Sequence, residues 1–178
     1  SRAAPHEVIL VGRPAKTAAR EWREVLRRID AGAVAVFMDP EAFDAAIWAP
    51  CPLRWSGDWL YHKEYMAKTH AVMDGLQTSG MLDPDYYGPL FAPRIFDKEP
   101  PAQEVIVASF ACGQTHLDPL YAAGVVIGRY ARGSGQYILN ALTVLDHVDR
   151  HPAADRLLLN LIRYAGTFIA DRKREEHD

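Results

Sequence analysis

This chain is short of several things, and each shortage closes off a class of explanation. Two cysteines, Cys51 and Cys112, in 178 residues make neither a disulfide framework nor the paired spacing of a zinc site. No apolar run approaches the ~20 residues that a membrane-spanning helix needs, so no membrane partner is expected. Charge of one sign is also lacking: 20 Lys and Arg stand against 23 Asp and Glu, for a formal net charge of −3. That balance supplies no electrostatic reason to bind nucleic acid or an anionic surface. The one basic cluster, Arg172-Lys173-Arg174, is offset by Glu175, Glu176 and Asp178. The opening SRAAPHEV is not a signal peptide; a signal on a longer precursor leaves the compartment open.

What the chain has is apolar content of 49%, enough for one ordinary core and hence one domain over 1–178. Glu7-Val8-Ile9-Leu10-Val11-Gly12 reads as a buried strand. Thr17 is placed to cap a helix with the stripe Ala18, Trp22, Val25, Leu26 and Ile29, ended at Gly32. Ala33 to Met38 is a second apolar strand, and strand–helix–strand with short connections is a right-handed unit of a parallel sheet. Residues 39–103 then form a long excursion rich in proline and aromatics, with little periodicity apart from short helices expected around Pro40–Ile47 and Lys63–His70. Excursions of this length are usually functional or interaction surfaces. Strand character returns at Glu104–Phe110 and again at Val125-Val126-Ile127, and Arg132-Gly133-Ser134-Gly135 is a hairpin turn leading into Tyr137-Ile138-Leu139. Pro152 suits a first helical position, Asp155 suits the first turn, and Leu157, Leu158, Leu161, Ile162, Ala165, Phe168 and Ile169 follow one buried helical face.

The glycine hairpin, ILNALTVLDHV at 138–148, HPAADRLLLNLIRYA at 151–165, HAVMDGL at 70–76 and MLDPDYYGP at 81–89 carry a family likeness. Together they resemble the glutamine-amidotransferase-like, flavodoxin-type domains of glycoside hydrolases. That group includes the trimerisation domain of bacterial β-galactosidases and C-terminal regions of family 2 enzymes. The likeness covers nearly the whole chain after Glu7, and its motifs are structural rather than catalytic. It implies a flavodoxin-like α/β three-layer sandwich closed by a C-terminal hairpin and helix. A complete flavodoxin-like domain has about five parallel strands and this chain offers roughly three plus the hairpin. The resemblance therefore implies the later part of a larger domain, without its first strand–helix units; the alternative is a small complete protein with a reduced sheet. Implied partners are the other domains of a parent glycoside hydrolase, a second copy in a homo-oligomer, or carbohydrate.

Cys112, in Ser109-Phe110-Ala111-Cys112-Gly113 with His116 nearby, lacks the full strand-to-helix elbow and a matching base, so a structural thiol is expected. Asp58, Glu64, Asp83, Asp85 and Asp118 lie in or near loops, but none sits in a motif matching a glycosidase acid or nucleophile. His116-x-Asp118, His147-x-Asp149 and the pair His62 and His70 fall short of a metal ligand set. Gly133-Ser134-Gly135 precedes a strand rather than a helix and so is no phosphate cradle. No catalytic residue, metal or cofactor is therefore assigned. The aromatic stretch remains. Trp48, Trp55, Asp58, Trp59, Tyr61, His62, Tyr86 and Tyr87 are the candidate ligand-binding residues, because aromatic faces suit the C–H faces of sugars. The competing reading makes the same rings a satellite core or a domain interface.

Overall fold

The structure is a computed structural model that describes residues 7–13, 19–39, 53–55, 62–97, 101–114 and 119–175. β1 (Val8–Val11), α1 (Ala19–Asp30) and β2 (Val34–Phe37) form the expected parallel unit, with Val8 opposite Val34 and Val11 opposite Phe37. On α1, Trp22 and Ile29 are buried and Val25 and Leu26 are partly buried; the Trp22 and Phe37 rings stack at 6.0 Å. The helix stops where expected, because Gly32 has φ 121°, which a side chain would resist.

The excursion is where the sequence reading needs correction. It contributes three strands to the sheet: β3 (Leu53–Trp55), β4 (His62–Ala67) and β5 (Arg94–Phe96). The helix expected at Lys63–His70 is β4, held antiparallel to the strand that follows the excursion, with Tyr65 opposite Ser109. Alternate burial of Tyr65 and Ala67 against exposed Glu64 and Met66 shows the period-two pattern that the good helix formers Lys, Glu, Met and Ala concealed. Short helical pieces do occur in the excursion: a 3-10 helix at Ala71–Met73, α2 at Pro84–Tyr87 and a further 3-10 turn at Gly88–Leu90. The helix expected at Pro40–Ile47 lies outside the described residues.

β6 (Glu104–Gln114) and β7 (Pro119–Arg132) are longer than expected and pair antiparallel along most of their lengths. β8 (Gly135–Asn140) returns along the other edge of β7, with Arg132 opposite Gly135. The connection is therefore Gly133-Ser134, and Gly133 has φ 54° at the first turn position. β8 then lies parallel to β2, Val34 opposite Gln136. α3 (Val144–His147) and the long α4 (Pro152–Glu175) complete the chain. Among the described residues this is one mixed eight-stranded sheet: β1, β2 and β8 run parallel, and the other pairings are antiparallel.

The core sits on β2 and β8. Every residue of β2 is buried, as a parallel strand covered on both faces requires, and α1 and α4 both pack on it. Helices and sheet in this relation are compatible with a three-layer α/β sandwich. α4 has the predicted stripe: Leu157, Leu161 and Ala165 are fully buried, while Leu158, Phe168 and Ile169 pack half-buried against the same cluster. Burying each leucine stabilises by about 1.5–3 kcal/mol.

Candidate functional site

The turn from Gln77 to Asp83 and the short α2 enclose a shallow cleft of about 420 Å³, lined by Gln77, Ser79, Met81, Leu82, Asp83 and the two tyrosines Tyr86 and Tyr87. Its shape follows from local sequence. Asp83 caps α2, its Oδ1 accepting from the Asp85 amide at 2.8 Å; Pro84 fits the first turn, where no N–H is needed. The opposite wall turns at Gly80, with φ 85°, and is pinned to β4 by the Ala67 and Leu82 amides, which donate to Gly80 and Tyr65 carbonyls at 3.0 and 2.8 Å.

Of the adjacent tyrosines, Tyr87 is buried and Tyr86 is 41% exposed. Tyr87 ties the two walls together, its hydroxyl donating to the Gln77 carbonyl at 2.9 Å. Burial, aided by the neighbouring Tyr86, pushes its phenol up to about 12, so it stays protonated and serves as a strut. Tyr86 stands edge-on to Tyr87 at 4.8 Å and lies against the His151 ring at 5.1 Å. His151 Nε2 is 2.8 Å from the Tyr86 carbonyl. The cleft thus places a supported aromatic ring beside the Gln77 amide and the Ser79 hydroxyl, an apolar face next to hydrogen-bonding groups.

In comparisons with known proteins, no family model matches this chain and no curated protein matches it.

The other predicted ligand residues are not brought to this cleft by anything described. Trp55 lies on β3 opposite Arg94, and His62 on β4 opposite Cys112; Trp48, Asp58, Trp59 and Tyr61 lie outside the described residues. Cys112 is inside β6, opposite Tyr121 of β7, and the strand runs on to Gln114; no helix begins at it, as an elbow nucleophile requires. Its neighbour His116 and the carboxylate Asp118 lie outside the described residues. Asp83 is occupied as a cap. Among the described residues no group of three or more His, Cys, Asp and Glu is arranged to hold a metal ion.

A second polar centre escaped the sequence reading. Glu104 opens β6 directly opposite Arg129 of β7. Its Oε1 accepts from Lys68 Nζ at 2.9 Å and lies 3.5 Å from His70 Nε2. Its Oε2 accepts a close hydrogen bond from the Tyr164 hydroxyl of α4, with Arg129 Nε at 3.5 Å. Burial opposes ionisation of this carboxyl, but the hydrogen bonds from Tyr164 and Lys68 and the field of His70 outweigh it and hold it at about 2. Tyr164 goes the other way: burial and then its bond to Glu104 push it up to about 12. His70 is lowered by burial, against the pull of Glu104. Its Nδ1 accepts from the Val72 amide at 3.1 Å and caps the 3-10 helix. Arg129 Nε also donates to the Tyr164 oxygen at 3.0 Å; with Lys68, Tyr164 and Arg129 all donating to its carboxylate, Glu104 is a poor general base. The cluster is a clamp joining β6, β7 and α4, and no local motif announced it.

Proposed function

We propose that this chain is a non-catalytic α/β module of a glycoside hydrolase, with β-galactosidase-like activity residing in the parent enzyme, and that the Tyr86 cleft is its contact with carbohydrate. The framework is that of a flavodoxin-type, amidotransferase-like domain. In support stand the sequence likeness and the parallel arrangement of β1, β2 and β8 with helices packed on β2. The antiparallel strands β3 to β7 would be an elaboration of that framework. The observation that carries the carbohydrate reading is the exposed, buttressed Tyr86 ring over a largely apolar cleft that also holds Gln77 and Ser79. A Cys112-dependent hydrolase is disfavoured by the mid-strand position of that residue. A free-standing carbohydrate-binding module would use the same cleft, and its separation from the first reading depends on the parent sequence.

The test has two parts. The purified chain is assayed on aryl β-glycosides, and turnover would overturn the non-catalytic reading. Binding of methyl β-galactoside and methyl β-glucoside is then followed by ligand-observed NMR with the wild type and with Tyr86→Ala. Binding that disappears in the variant, with an unchanged thermal melt, is the expected result; equal binding by both would remove the cleft from the proposal.

A further inference from the structure

We infer that His151 is a positioning residue that makes ligand binding at the Tyr86 cleft depend on pH; this rests on the carbohydrate reading above and adds regulation to that site. The imidazole uses its two nitrogens for different partners. Nδ1 accepts from the Ala153 amide at 3.2 Å and so caps the start of α4. With an acceptor at Nδ1, the neutral ring carries its proton on Nε2, which donates to the Tyr86 carbonyl at 2.8 Å. The same ring lies against the Tyr86 side chain. One neutral tautomer therefore supports both the backbone and the ring of the residue that faces the cleft.

Protonation breaks this arrangement by simple valence. Nδ1 becomes a donor aimed at another donor, at a helix N-terminus where positive charge is unfavourable. The ring then has to turn or withdraw, and either movement takes support from Tyr86. The titratable and charged groups of the nearby segments are the cap Asp83 with Asp85 and Tyr86 of α2, Asp146 and His147 of α3, Asp149 and Arg150 of the following turn, and Asp155 and Arg156 at the start of α4. Asp155 is already engaged, accepting from the Asp149 amide at 2.8 Å. The far wall of the cleft is held separately by Tyr87 and Gln77, so loss of the His151 contact alters one wall and leaves the other in place.

The experiment follows Tyr86 directly. The full chain is prepared with ring-labelled tyrosine, Tyr86 is assigned with Tyr86→Phe, and its signals are followed from pH 8 to 5 without sugar. The Tyr86 signals of the wild type should move with pH. His151→Asn, which keeps a side-chain oxygen at the cap at every pH, should not. Methyl β-galactoside should bind the wild type several-fold more weakly at the acid end and bind the variant with a flat profile. PH-independent Tyr86 signals in the wild type, or the same titration in His151→Asn, would overturn the inference. No sugar binding at either pH, with Tyr86 signals that move with pH in the wild type and not in His151→Asn, would remove the carbohydrate reading and leave the control of Tyr86 by His151 standing.

Discussion

Glu104 draws charged and hydrogen-bonding partners from far along the chain: Lys68 is 36 residues away, Arg129 25 and Tyr164 60. That spacing is why the site was illegible in the sequence, where Glu104 reads only as the first residue of a strand. Its linkage to stability has a definite sign. The folded carboxyl titrates at about 2 against an ordinary value of 4.5, so its contribution is complete above 4.5 and is lost as pH falls towards 2. Glu104→Gln should therefore cost roughly 1.5–3 kcal/mol at neutral pH, and the gap from wild type should close in urea melts near the acid limit. Tyr164 is raised from 10.0 to about 12, so its contribution is present below 10 and disappears as pH climbs to 12. Tyr164→Phe should be less stable at neutral pH and should lack that part of the alkaline loss, so the two proteins should converge as pH climbs; an unchanged gap between their melts from neutral to alkaline pH would contradict it. Tyr86 and Tyr87 show the same limit of sequence reading at the site itself. Two identical residues in succession on a short helix face different surroundings, and only the fold reveals which one meets solvent.

α4 was the most legible element, because a long helix repeats its period many times. Its face can be tested by contrast. Leu161→Ala should cost about 2–5 kcal/mol, since Leu161 is fully buried, whereas Leu159, 48% exposed, should change stability by no more than about 0.5 kcal/mol when replaced by alanine. Equal shifts in the denaturation midpoint would mean that the helix is rotated on the sheet. Gly166 lies in the same helix with nothing within 4 Å of an added Cβ. Gly166→Ala should therefore stabilise by about 0.5–1 kcal/mol, read as a higher midpoint. Gly135 is the opposite case: an added Cβ would run into the carbonyl oxygens of Ile29 and Ala33, so Gly135→Ala should lower the midpoint by displacing the hairpin from the end of α1. β1, β2 and β8 were legible for a related reason, being continuous β-branched and apolar runs. β4 was not. Six residues hold too few repeats to outweigh helix-favouring composition.

Across the whole molecule, protection should grade from the middle of the sheet outward. β2 and β8 are enclosed on both faces and flanked on both edges, whereas β1, among the described residues, pairs with β2 alone. Native-state hydrogen exchange should find the slowest amides in Val34–Phe37 and in residues 138–140, and faster ones in Val8–Val11. Uniform exchange across these strands would show that the sheet opens only as one unit. The central pairing has a further consequence during synthesis. Asn140, whose side-chain amide donates to the Met38 carbonyl, lies 102 residues beyond it. At about 5–20 residues per second, a ribosome leaves the inner edge of β2 without its partner for roughly 5–20 s. Throughout that interval the nascent chain presents Val34-Ala35-Val36-Phe37, an apolar edge open to pairing with a neighbouring nascent chain. Yield of this protein in cells should accordingly depend on translation speed and holdase chaperones more than its finished stability would suggest.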